Sequence, residues 1–290
     1  MQSMKAAALA AFFLLVMLSF APWARAGDAD LNSDYQGKVL TLRHFYEGTH
    51  LVFQTDGSLI GRAEIGPWTV DGEIFINTIE AKGRVLRIRG RRVCLVFDRR
   101  KEPGRDVLES LEETRVNNRD PDDLDKREGV FRAKDVDIDI RLDSENPDEE
   151  GVKSAMDRVF LAPSESMSDI VPDFWRGYFD EREGRPRTSG YTGVYYSVKK
   201  GEVSPPRRIS GREPEFSEYA RVGKFQGTMT VSLVVDPSGA ARNVVIATPL
   251  GLGLDEKAVE AVRAWKFEPA TKDGQPVAVA IMVEVDFHLY

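Results

Sequence analysis

The chain has 290 residues, 42% of them hydrophobic and 30% charged, with a formal net charge of −7. That composition belongs to a folded protein with room for two modest domains, so wholesale disorder is excluded, and the acidic balance argues against general nucleic-acid affinity. A single cysteine, Cys94, excludes an intramolecular disulfide and a cysteine-rich metal site, and three histidines, His44, His50 and His288, leave little for histidine-based catalysis.

Residues 6–20 form an apolar run of 15 residues behind Lys5, broken by Pro22 and followed by Ala24-Arg25-Ala26. As a helix the run is about 22 Å long, short of the roughly 30 Å hydrocarbon layer, and the small-x-small triplet suits a signal peptidase. These features predict a signal peptide over residues 1–26, cleaved after Ala26; the alternative is an uncleaved anchor. The segment holds two bases and no acid, so the remainder carries a net charge of −9. The protein is expected to be exported.

Residues 27–175 read as a β-rich N-terminal domain. Leu51-Val52-Phe53 leads into Asp56-Gly57, a hairpin dipeptide, and Trp68-Thr69-Val70 leads through Asp71-Gly72 into Ile74-Phe75-Ile76. Val85–Arg89 is expected to turn through Gly90 into Val93–Phe97, giving a meander or half-barrel. A helix is expected near Val107–Val116, and Val136–Leu142 alternates as a half-buried strand should. Residues 148–161 predict an amphipathic helix with Val152, Met156, Val159 and Phe160 on one side.

Residues 176–212, rich in Gly, Pro, Arg and Ser, read as a linker, and residues 213–290 as a second domain. A short helix is expected over 214–222, then a strand from Gly227 with Met229, Val231, Leu233 and Val235 on one face. Pro237-Ser238-Gly239 turns the chain into a return strand over 243–247. Asp255 is the expected N-cap of a helix, with Leu254 and Val259 at hydrophobic-staple spacing; Pro269 stops it. Alternation at Val277, Val279, Ile281, Val283, Val285, Phe287 and Leu289 predicts a last long strand. The fold class is therefore α+β, ending in a two-layer ββαβ module.

These last residues resemble a known family. Gln226-Gly227-Thr228, Val235-Asp236-Pro237-Ser238-Gly239, Leu254–Val262 and Trp265-Lys266-Phe267-Glu268-Pro269-Ala270 follow in the order of the TonB C-terminal domain, and Gly274–Val277 and Val283–Phe287 continue the match. One departure is Phe216-Ser217, where the family often has Tyr-Pro. The resemblance implies a periplasmic module that docks outer-membrane transporters by pairing a peptide strand with its sheet edge, with no cofactor and no catalytic role. It places the partner-binding residues on the last strand: Val279, Ala280, Ile281, Met282, Val283, Glu284, Val285, Asp286 and Phe287. The other reading of that strand is an ordinary edge whose acids discourage aggregation. A complete transducer of this family has an uncleaved N-terminal helix bearing a histidine and a long Pro-rich spacer, which residues 1–26 and 176–212 do not match. A structural adaptor without energy transduction, or a carboxylate-based hydrolase, are the alternatives. A homodimer by exchange of the last strand is a further expectation.

Elsewhere, Lys82, Arg84, Arg87, Arg89, Arg91, Arg92, Arg99, Arg100 and Lys101 form a basic run that either binds an anionic envelope component or pairs, through Arg87 and Arg89, with Asp137 and Asp139 across strands. Asp135, Asp137 and Asp139 invite a calcium reading, but Ile140 and Asn146 stand where a calcium loop wants Gly and Glu. His44 and His50 lack a third ligand nearby, Cys94 reads as core, and Trp68, Trp175 and Trp265 sit in apolar contexts.

Overall fold

In the computed structural model, which describes residues 26–97, 134–186, 191–198 and 202–289, the alternating runs of the first half become one open sheet. Helix α1 (Ala26–Tyr35) precedes strands β1 (Val39–Thr41), β2 (His50–Phe53), β3 (Glu73–Lys82), β4 (Val85–Val93) and β5 (Asp135–Arg141), which stand in the order β1-β3-β4-β5-β2. Residues 1–25 of the expected signal peptide and the helix expected near residues 107–116 lie outside the described residues. Neighbouring strands run antiparallel except β2, which crosses to the far edge and lies parallel to β5. The simple meander order therefore holds only for β3, β4 and β5.

Two local expectations fail here for physical reasons. Trp68–Gly72 is one wide helical turn instead of a strand, because Pro67 presents its carbonyl to the N–H groups of both Val70 and Asp71. Gly90 lies inside β4 and turns nothing: a Cβ there would meet the Phe75 carbonyl oxygen at 2.5 Å, so glycine serves close strand approach. The chain reverses at Gly83, in the left-handed region at φ +60.

Helix α2 (Glu149–Val159) is capped by the Asp148 carboxylate, which accepts from the Gly151 N–H. Val152, Ala155, Met156 and Val159 press on Ile76, Leu86, Ile88, Ile138 and Ile140 of the sheet. Two further helices follow, α3 (Met167–Ile170) and α4 (Asp173–Arg182).

The C-terminal half begins with short strands β6 (Tyr196–Ser197) and β7 (Arg207–Ser210) and helix α5 (Glu218–Val222). The α5 helix starts later than expected because Ser217 supplies the cap, accepting from the Ala220 N–H. Strands β8 (Gly227–Val235) and β9 (Ala241–Thr248), helix α6 (Leu254–Ala264), short strands β10 (Lys266–Glu268), β11 (Ala270–Lys272) and β12 (Gln275–Val277), and the long β13 (Val279–Phe287) complete the chain. The main sheet has the order β6-β13-β8-β9. Gly253, at φ +74, occupies the N-cap position of α6 instead of Asp255; the Asp255 carboxylate, already in the first turn, accepts from the N–H groups of Leu250 and Gly251 at 2.7 Å each.

One apolar core joins the two halves. Phe45, Trp68, Leu95 and Trp175 pack in the same cluster as Val231, Ile246, Leu254, Val262 and Trp265. Backbone pairing reinforces it: Leu252 donates to Leu95, Phe97 donates to Leu250, and Gly253 donates to the Thr69 hydroxyl. The stretch that composition reads as a linker is docked in part, while residues 192–198 and 207–212 stay exposed. Arg176–Arg182 continue α4, since Phe174, Trp175, Tyr178 and Phe179 recur at helical spacing across its start. Farther on, Val203 is buried against Ala270 and Val279, and β7 pairs with β10.

Candidate partner-binding edge

Strand β13 owes its shape to its alternation. On one face Val279, Val285 and Phe287 are buried and Ile281 and Val283 half-buried; the register sets Ile281, Val283 and Val285 beside Leu233, Val231 and Met229 of β8. That face belongs to the same apolar core as Leu254, Val259 and Val262 of α6, and the Phe216 ring meets Phe287 edge-on at 5.4 Å. The opposite face carries Ala280, Met282, Glu284 and Asp286, beside Val234, Ser232, Thr230 and Thr228. Met282 is 60% exposed, Glu284 and Asp286 are exposed, and the Thr228 hydroxyl donates to the Asp286 carboxylate.

Among the described residues, β13 is paired along its outer side only at its start. The two residues of β6 lie parallel to it, Tyr196 beside Val279 and Ser197 beside Ala280, and the Tyr196 N–H donates to the Ala278 carbonyl at 2.9 Å. Residues 281–287 have no ladder partner on that side among the described residues. Such an edge presents backbone donors and acceptors to an added strand. The nine expected binding residues thus divide: Val279 and Ala280 meet β6, whereas Ile281, Met282, Val283, Glu284, Val285, Asp286 and Phe287 form an open edge.

The residues that carry the family resemblance build the frame of this edge. Asp236 gathers the β8–β9 turn: its carboxylate accepts from the Ser238 and Ala240 N–H groups, the Ser238 hydroxyl and the Arg242 guanidinium. Burial works against its charge, but those donors hold it down to about 2. Gly239, at φ +78, must be glycine, because a Cβ would come within 2.0 Å of the Phe267 carbonyl oxygen. Trp265 donates its indole N–H to the Arg212 carbonyl, and the Arg208 guanidinium lies 3.9 Å from its ring centroid.

Beneath the sheet, Trp175 of α4 donates its indole N–H to Glu256 of α6 at 2.9 Å. The other oxygen of that carboxyl is buried without a partner among the described residues. Burial and then the adjacent Asp255 charge push Glu256 up to about 8; burial also raises Asp255, to about 6, against its two backbone donors. Those two short N–H bonds suit a carboxylate, so Asp255 holds the negative charge and Glu256 the proton. Sequence reading missed this contact because a helical Glu carries no sign of burial. A groove of about 510 Å³ lined by Phe174, Glu256, Val259, Glu260, Arg263 and Ala264 opens beside it.

The other candidate residues fall elsewhere. Register sets Arg87 opposite Asp139 and Arg89 opposite Asp137, with guanidinium-to-carboxylate distances of 3.1 and 4.0 Å. Arg91 lies over the Phe75 ring, and Arg92 turns inward, so the basic run is not one surface patch. The Arg92 guanidinium is buried, donating to the carbonyls of Asp71, Tyr46 and Gly48 and lying 3.3 Å from the Asp71 carboxylate. Arg99, Arg100 and Lys101 lie outside the described residues. His50 stands 3.7 Å from Asp139 and the His44 ring lies 5.5 Å from that of Tyr46, tilted by 50°, so the two have different neighbours. His44 and Tyr46 also line an open groove of about 850 Å³ with Ser58, Leu59, Arg62 and Glu64. Cys94 is half-buried, and burial raises its thiol to about 11, which suits packing and not nucleophilic chemistry.

Comparison with known proteins supplies the family of the edge-bearing domain. Residues 212–289 match the model for the Gram-negative bacterial TonB protein C-terminal. Protein TonB of Vibrio cholerae serotype O1 is 32% identical over 89 residues, which are 30% of this chain and 36% of that protein. The chain thus matches little more than a third of that curated relative's length. The solution NMR structure of the Pseudomonas aeruginosa TonB C-terminal domain is similar at 16% identity and a TM-score of 0.24, covering 34% of this chain and 99% of that one. Residues 212–289 of this α+β chain are a TonB-family C-terminal domain.

Proposed function

We propose that this chain is an exported envelope protein whose C-terminal sheet takes up an extended peptide from an outer-membrane transporter by strand addition along residues 281–287. The observation that carries the reading is the open outer side of β13. Backbone hydrogen bonds would supply affinity there, and the alternating Met282, Glu284 and Asp286 side chains selectivity. No cofactor is needed for such binding. Export rests on the leader-like first 26 residues.

A second reading, an adaptor that transmits no force, is favoured by one observation. The C-terminal domain does not hang on a long spacer where the chain is described; it shares a core with the N-terminal sheet through Trp68, Leu95 and Trp175. A module held so firmly suits docking at fixed distance.

A photo-crosslinking side chain in place of Met282, with a control in place of exposed Arg242 on β9, tests the proposal in cells. The expected result is an adduct with an outer-membrane transporter from position 282 only. No adduct from 282, or the same adduct from both positions, would overturn it.

A further inference from the structure

The segment that occupies the first two positions of the edge is built like a strand but uses little of that capacity. Residues 191–198 read Tyr-Thr-Gly-Val-Tyr-Tyr-Ser-Val, a β-branched and aromatic run without proline. Only Tyr196 and Ser197 pair with β13, against a usual strand of about 5–6 residues. Its apolar residues stay in solvent: Val194 is 82% exposed and Val198 43%, and Tyr195 and Tyr196 are also exposed. Tyr196 is held by its N–H bond to Ala278 and by the Lys272 ammonium 4.8 Å from its ring centroid. Continuing the observed parallel register by one step would bring Val198 beside Ile281, the first open position.

We infer that residues 191–198 act as a cis-held strand that competes with an incoming peptide for the β13 edge, so that a partner gains the full strand only by displacing Tyr196 and Ser197. This inference rests on the edge reading above and adds regulation to it. It also states what the edge accepts: a strand running parallel to β13, with an aromatic residue where Tyr196 meets Lys272 and a β-branched residue two positions later. The cis contact is small, so it tunes affinity instead of closing the site. A tethered two-residue pairing with one aromatic contact should reduce binding in trans by about tenfold.

The test uses the full chain and a labelled synthetic peptide of residues 191–198, added to the unaltered protein and to Tyr196→Pro. Proline removes the N–H that reaches Ala278 and the ring that meets Lys272, in an exposed segment outside both cores. The inference expects the peptide to bind Tyr196→Pro about tenfold more tightly than the unaltered chain, with slowed hydrogen exchange over residues 279–287. Equal affinity for the two proteins, or no binding to Tyr196→Pro, overturns it. Either result leaves the transporter crosslink from position 282 to decide the edge reading by itself. Binding that slows exchange elsewhere and leaves residues 279–287 unchanged overturns the cis competition as well.

Discussion

Trp175 belongs to the N-terminal half by position in the chain and to the C-terminal core by packing, so its removal measures how far the TonB-family domain depends on what precedes it. The side chain is 0% exposed. Its ring contacts Trp68 and Tyr178 edge-on at centroid distances of 5.2 and 5.5 Å, and its N–H is the one partner found for the Glu256 carboxyl among the described residues. Trp175→Phe keeps most of the ring and strands Glu256, which should cost about 1–3 kcal/mol. Trp175→Ala also opens a cavity, and truncations of this kind cost about 3–5 kcal/mol. Against a domain stability of roughly 5–15 kcal/mol, the alanine variant should lose about a fifth or more of the total. Urea titration read by hydrogen exchange separates the halves, with peptides from β8 and β9 reporting one and peptides from β1 and β2 the other. The account predicts that β8 and β9 lose protection in Trp175→Ala and lose less in Trp175→Phe. A loss below about 1 kcal/mol, or one confined to the N-terminal strands, would refute the shared core.

Three further outcomes follow from the buried polar groups and one glycine. Because Glu256 rises in the folded chain from 4.5 to about 8 and Asp255 from 3.8 to about 6, their contribution to stability is full at low pH and declines as pH climbs toward 8. Glu256→Gln should flatten the fall in urea midpoint between pH 5 and 8, leaving the part due to Asp255; an unchanged slope would contradict the assignment. Arg92→Met leaves the buried Asp71 carboxylate without its cation, and should cost about 3–5 kcal/mol in thermal melting. Gly251→Ala forces a Cβ to 2.2 Å from the Leu95 carbonyl oxygen at φ +95; it should cost at least about 1–3 kcal/mol by urea titration and expose the Leu252 amide to exchange.

How much of this was legible in the sequence depends on which forces set each feature. The C-terminal strands and helix follow from period-2 and period-3.6 patterns, because their alternating residues face one core. The Arg87 and Arg89 pairings with Asp139 and Asp137 were readable for the same reason: both strands keep one charged face. Strand order was not, since nothing in His50–Phe53 marks it as the parallel neighbour of β5 and not of β1. Gly90 and Asp255 misled for a shared reason: glycine serves close approach as well as turns, and an acid beside a helix start can sit inside the first turn as well as before it. The docked stretch after Trp175 was hidden because its composition is a linker's, while its fate is decided by distant apolar partners. The resemblance puts the binding edge on the last strand, but the pairing of Tyr196 and Ser197 with that strand is a tertiary event with no local signal.

The central claim concerns the outer side of β13, and hydrogen exchange reads that side directly. Exchange over residues 279–287 should be measured in the full chain, alone and with the purified transporter captured from position 282. The account predicts slowing over residues 281–287 with no change in β9; unchanged exchange in β13, or slowing confined to β9 and the N-terminal sheet, would contradict it.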